Sequence, residues 1–208
     1  MDIKYNITKF KNNKTEQIKD LISVEEPLEM ILRYKKNNKW NNLNISITMR
    51  TPGNDEDLIA GFLYNESIVE NISQIEKIKK EEDKVGDYNI QNKIVATINN
   101  IKNIEIEKLK RNFVTNSSCG VCGKTSLDSI EIIKKEKLNL SFPKIKKEII
   151  LKSPELLTSE QSEFSKTGGI HASSLIDSNG KVIATREDVG RHNALDKLIG
   201  HSHKKKII

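Results

Sequence analysis

Ile170-His171-Ala172-Ser173-Ser174-Leu175-Ile176, Asp177-Ser178-Asn179-Gly180, Lys181-Val182-Ile183-Ala184-Thr185 and Arg186-Glu187-Asp188-Val189-Gly190-Arg191-His192-Asn193-Ala194-Leu195-Asp196-Lys197-Leu198-Ile199 run on without a break. Two β-prone segments flank an Asn-Gly pair, so 170–176 and 181–185 are expected as strands joined by a turn. From Asp188 onward the period changes. Val189, Leu195, Leu198 and Ile199 are spaced to face a core from a helix over 188–199, which Asp188 is expected to cap. A strand pair that feeds a helix points to an α/β fold.

Working outward, the same interleaving recurs. Residues 1–24 read as a strand with a polar linker, and Pro27 favours an extended start to a strand over Leu28–Tyr34. Lys36-Asn37-Asn38-Lys39 is expected as a turn. Asn44–Arg50 alternates, with Ile45, Ile47 and Met49 on one face. After the turn Thr51-Pro52-Gly53-Asn54, Asp55 is expected to cap a helix whose stripe is Leu58, Ile59, Phe62 and Leu63. Glu70–Val85 is charged and poorly periodic, as is Lys134–Pro154, a second expected connector. Further strands are expected at Ile94–Ile98, Ile104–Leu109 and Arg111–Thr115, and a helix at Lys124–Ile133. The chain divides into a strand-rich region over 1–110, with its helix near 55–65, and a second region over 111–208.

Composition narrows the function. The 208 residues suffice for one good core, or for a main domain with an appendage. No apolar run approaches the ~18 residues of a membrane span, and the start lacks the layout of a secretory signal. The net charge of +6 comes from scattered lysines, and aromatics make up only 5% of the chain, which argues against a nucleic-acid binder. The weak positive balance suits an anionic ligand such as a pyrophosphate-bearing cofactor.

Both cysteines lie in Ser117-Ser118-Cys119-Gly120-Val121-Cys122-Gly123, and two cysteines at this spacing imply a reduced, cytoplasmic chain. Placed between a strand and a helix, their thiols would meet the helix's free N–H groups, which lowers a pKa from about 8.5. Three uses remain open. The pair can be buried as small hydrophobes. It can bind metal with His171, although a structural zinc needs four ligands and neither His192, His201 nor His203 forms a second paired spacing. The third use is redox or sulfur transfer, within which spacing does not separate disulfide exchange from persulfide relay.

Two further segments carry polar chemistry. In Thr167-Gly168-Gly169-Ile170-His171-Ala172 the glycines permit either a tight turn or a close ligand. In the 186–197 run, Arg191, His192 and Asn193 open a helix at a strand-to-helix junction. Open α/β sheets bind ligands at such junctions, and Arg191 can fork onto phosphate or carboxylate. A solvated helix face is the bland alternative.

These segments, with Glu25-Glu26-Pro27-Leu28, Met49-Arg50-Thr51-Pro52-Gly53 and Asp57-Leu58-Ile59-Ala60-Gly61-Phe62-Leu63, resemble the FdhD family of sulfur carriers needed for active formate dehydrogenase. They occur in the family's order and span most of the chain. The resemblance implies a cytidine-deaminase-like α/β fold, a mixed sheet with flanking helices, that has lost deaminase chemistry, and it implies a cytoplasmic homodimer. It further implies a sulfurtransferase. A cysteine desulfurase loads a persulfide on Cys119, Cys122 assists or resolves it, and the sulfur passes to the molybdenum (or tungsten) bis-guanine-dinucleotide cofactor before that cofactor enters formate dehydrogenase. Gly168, Gly169, His171, Arg186, Arg191, His192 and Asn193 are the expected cofactor-binding residues, and no resident metal is expected. Family members continue beyond the Arg-to-Lys helix through a strand and a glycine-rich tail, whereas this chain stops at His201-Ser202-His203-Lys204-Lys205-Lys206-Ile207-Ile208. The core is therefore expected to lack the C-terminal strands. A cofactor-binding chaperone and, less favoured, a dithiol oxidoreductase are the alternatives.

Overall fold

The computed structural model of the chain describes residues 2–85, 88–98 and 144–207. The cysteine segment, the strands expected at 104–109 and 111–115 and the helix expected at 124–133 lie outside these residues. What is described is a mixed α/β arrangement of three antiparallel or mixed sheets with flanking helices.

The N-terminal stretch is a hairpin rather than one strand and a linker. Strands β1 (Asp2–Lys11) and β2 (Lys14–Ser23) pair antiparallel. The next pair, β3 (Glu26–Lys36) and β4 (Lys39–Arg50), does the same. Both reversals use adjacent asparagines, with φ of 51° and 57° at Asn12 and Asn13 and 51° and 61° at Asn37 and Asn38. A two-residue turn that follows the strand twist needs positive φ at both centres, and asparagine tolerates it.

Strands β3 and β4 join β5 (Ile75–Val85) and β6 (Tyr88–Ile98) in the order β4-β3-β6-β5, with β3 and β6 parallel. Leu28, Met30, Leu32 and Tyr34 of β3 and Ile94, Ala96 and Ile98 of β6 point to one face. Helix α1 (Asp55–Asn65) covers that face with Leu58, Ile59 and Leu63, all fully buried, while Phe62 is only partly so. Asp55 does not cap α1, because the cap position is Asn54. The first buried turn instead uses the Asp55 carboxylate to accept from Arg50 Nε at 3.0 Å and to pair with Lys80 at 3.1 Å.

The charged stretch at 70–85 is largely β5. Among the described residues this strand is the last of its sheet, where solvated charge is favourable, and Ile75 and Ile78 are the side chains of it that pack on the core. Part of the second expected connector is likewise helical: among the described residues α2 (Lys147–Ser159) has no fully buried side chain, and its Ile150 and Leu151 stay exposed. It leads to α3 (Ser162–Thr167), then to the hairpin of β7 (His171–Ile176) and β8 (Val182–Asp188). Asp188 closes β8 and does not begin the final helix, α4 (Arg191–Lys204), whose cap position is Gly190. Helix α4 runs five residues past the expected end at Ile199. Leu195 is 45% exposed, and the inward face is Ala194, Lys197, Leu198, Gly200 and Ser202. It packs on α1, so residues near 60 and near 200 share one seam.

Candidate functional site: a cleft between β4 and the start of α4

Strand β4 does not keep the alternation that its sequence suggests. Ile31 pairs with Asn44 but Met30 pairs with Ser46, so Ile45 is an extra residue in β4. Such a bulge reverses which side chains face inward beyond it. Ile45 is buried, while Ile47 and Met49 are 60% and 47% exposed, contrary to the single face expected for all three. The bulge thereby presents Ile47, Thr48 and Met49 as the apolar wall of a cleft of 610 Å³. Val189, Gly190, Arg191, His192 and Asn193 form the opposite wall, with His171 and Glu25 at its margins.

The start of α4 is suited to negative charge. The first turn contains no acid. Its leading N–H groups have no partner within the helix, and the peptide dipoles add positive potential there. Arg191 and His192 are both exposed beside these groups, and His171 enters from the head of β7. Three expected residues, His171, Arg191 and His192, thus share one cleft, and their side chains are not tied to one another or to other described residues by hydrogen bonds or ion pairs.

Asn193 lines the same cleft but is 9% exposed and spends its carboxamide on the protein. Its Nδ2 donates to the Met49 carbonyl at 2.8 Å and to Asp188 Oδ1 at 3.0 Å, and its Oδ1 accepts from Thr48 at 3.2 Å. Asp188, fully buried, also accepts from the backbone N–H of Thr51 at 3.1 Å and of Gly190 at 2.9 Å. Its charge is balanced by Lys197, 1% exposed, at 2.6 Å, and Lys197 also donates to the Thr51 carbonyl at 2.8 Å. A buried pair of this kind is tolerable because every charged oxygen and ammonium hydrogen finds a partner.

Arg186 is not brought to the cleft. Its guanidinium turns to α1, donating to Asp57 Oδ2 from Nε at 3.3 Å and from Nη2 at 3.2 Å, and it contacts His201 Nδ1. Asp57 is further paired with Lys204 at 3.1 Å. Burial and the neighbouring Arg186 hold His201 below the usual histidine pKa, which keeps it neutral against the guanidinium. Glu187, between Arg186 and Asp188, faces α3 instead and accepts the backbone N–H of Glu163 at 3.0 Å and of Phe164 at 2.9 Å. Gly168 (φ 65°) ends α3, and Gly169 follows in the link to β7, so the glycine pair acts here as a turn ahead of His171. Cys119 and Cys122 lie outside the described residues.

Reading the sequence did not single out Glu25, Ile47, Thr48, Met49, Val189 or Gly190 as cleft residues. Glu25 and Met49 were inside recognisable segments, but the bulge that turns Ile47 and Met49 outward has no local signature.

The family model described as the FdhD/NarQ family matches residues 25–208. This chain belongs to that family. Among its relatives, the sulfur carrier protein FdhD of Sulfolobus acidocaldarius is 40% identical over 205 residues, covering 98% of this chain and 71% of the relative. That of Picrophilus torridus is 41% identical over 183 residues, covering 88% and 64% respectively. A crystal structure from Desulfotalea psychrophila, described as a formate dehydrogenase accessory protein, superposes with a TM-score of 0.59 at 21% identity, covering 99% of this chain and 70% of that one. The last likeness supports the FdhD-type fold. No helix among the described residues is long and apolar enough to cross a membrane.

Proposed function

We propose that this FdhD/NarQ chain is a sulfur carrier in the maturation of formate dehydrogenase, working in the cytoplasm as a homodimer. Its thiolate at Cys119 attacks the outer sulfur of a persulfide on a cysteine desulfurase. A new S–S bond forms at Cys119 and the desulfurase cysteine leaves as thiolate. The acceptor is the molybdenum or tungsten bis-guanine-dinucleotide cofactor, bound as substrate. Attack of Cys122 on the inner sulfur of Cys119 would release the outer atom as sulfide, with the two electrons coming from the dithiol and a Cys119–Cys122 disulfide left for a thiol reductant. Gly120 and Gly123 carry no side chain that would compete with either partner for the thiols.

The observation that carries the reading is the placement of Arg191 and His192 on an acid-free first helical turn, sharing a 610 Å³ cleft with His171. That arrangement suits a pyrophosphate, whose oxygens take charged and backbone N–H donors together. The Sulfolobus and Picrophilus relatives, named sulfur carriers, support the same assignment.

The test is intact mass after incubation with a cysteine desulfurase and cysteine. One added sulfur, absent in Cys119→Ala, is expected. A wild type that gains none would remove the carrier role. Guanosine diphosphate binding that survives without any adduct would select the second reading, a chaperone that shields the cofactor, which the grouping of His171, Arg191 and His192 around one cleft also suits.

A further inference from the structure

The two walls of the cleft come from different sheets. Strand β4 ends the sheet β4-β3-β6-β5, whereas β8 and the start of α4 follow from the β7-β8 hairpin, and no backbone ladder joins β4 to β8. The packing of α4 on α1 holds the helix body, so the width of the gap at its first turn rests on the side-chain hydrogen bonds that cross it. Asn193 supplies the crossing bonds nearest the ligand space, reaching Met49 and Thr48 on one wall while held by Asp188 on the other. Its carboxamide is boxed in as well: a Cβ on Gly190 would fall 2.9 Å from Asn193 Nδ2.

We infer that Asn193 is a positioning residue, fixing the distance between β4 and the start of α4 and so the aim of Arg191 and His192, and not a group that touches the ligand. Both of its donor hydrogens and its oxygen are already used, and an amide that left them to bind a ligand would take the Met49 carbonyl's close donor and one of the donors of Asp188. Gly190 follows from the same geometry, because any side chain there pushes the carboxamide aside. This rests on the proposed use of the cleft only for its choice of ligand.

Two measurements separate the inference from that reading. Spin labels are placed on Ile47→Cys and Leu195→Cys in a Cys119→Ser/Cys122→Ser background, and the label distance is measured by pulsed electron resonance. Thr48→Val, which deletes one crossing bond, and Gly190→Ala, which deletes none, are expected to broaden or shift the distribution while circular dichroism shows the fold retained. Asn193→Asp, which turns the donor into an acceptor facing Asp188 and the Met49 carbonyl, is expected to shift it most. An unchanged distribution in Thr48→Val and Gly190→Ala overturns the inference, whether or not Asn193→Asp folds.

In the unlabelled chain, guanosine diphosphate affinity is expected to fall about threefold in Thr48→Val and at least tenfold in Gly190→Ala. Full affinity in a Gly190→Ala protein with a displaced wall also overturns it. A wild type that binds no nucleotide, together with the expected distance shifts, defeats the ligand assignment and leaves the positioning role standing.

Discussion

Gly61 on α1 lies so close to Asp196 on α4 that a Cβ at residue 61 would fall 1.8 Å from the Asp196 main-chain oxygen. Gly200 makes the reciprocal approach, with a Cβ there landing 2.0 Å from the Asp57 carbonyl. The two helices therefore touch backbone to backbone, and glycine is required for want of volume rather than for its φ. This contact seats the body of α4 on α1, and the bonds across the cleft then set the aim of its first turn.

Gly61→Ala and Gly200→Ala are each expected to cost about 3 kcal/mol or more, since a main-chain clash has no rotamer to relieve it. For a chain of this size the melting temperature should drop by roughly 6–12 °C. Gly169→Ala is the control: its Cβ would meet only the Thr167 carbonyl, at 3.8 Å, and the melting temperature should stay within a degree or two.

Lys197→Met tests the buried pair. Removing the ammonium leaves Asp188, fully buried, without its counter-charge, and a loss of about 3–5 kcal/mol is expected in urea unfolding. Asp188→Asn in the same background should recover part of it, because a neutral amide no longer needs the cation. Equal stability of the single and double variants would contradict the coupling.

Asp196 adds a pH dependence of its own to the stability curve. Burial against α1 pushes its carboxyl up from 3.8 to about 7, despite the 2.6 Å hydrogen bond from Asn65. The folded chain thus holds a proton that the unfolded chain has released, so stability is greatest below about pH 4 for this group and declines as pH rises to about 7. The decline attributable to it is on the order of 2–4 kcal/mol across the window. Asp196→Asn should flatten that slope and raise stability above pH 7. A slope that persists in the variant would assign it elsewhere.

Arg186 and Arg191 should behave differently although both stand in the same polar run. Arg186→Ala is expected to lower stability by roughly 1–3 kcal/mol through loss of its forked contact with Asp57, with guanosine diphosphate affinity changed less than twofold. Arg191→Ala should leave the melting temperature within a degree and weaken nucleotide binding by about 1.5–3 kcal/mol. Calorimetric titration and thermal melts of both variants decide this.

Local chemistry in the chain was enough for a good part of this protein. Paired asparagines admit positive φ and so announce one reversal at 37–38. The apolar stripe of α1 and the extended entry that Pro27 gives β3 declare their elements, and Gly168 and Asp188 mark a turn and a junction. Family membership was also legible, because motifs spread over most of the length preserve their order. Sequence alone placed His171, Arg191 and His192 among the cleft candidates, since small loops and exposed polar runs leave a local trace.

Only the tertiary structure decided how those candidates divide. Arg186 and Asp57 are 129 positions apart, and no short-range pattern reveals that one is reserved for the other. The bulge at Ile45, the charged edge strand β5 and the spent carboxamide of Asn193 likewise depend on what lies across the fold. Burial, partner and exposed face are properties of neighbours distant in the chain, so residues of one motif line the cleft, bridge it or tether a helix according to where the packing turns them.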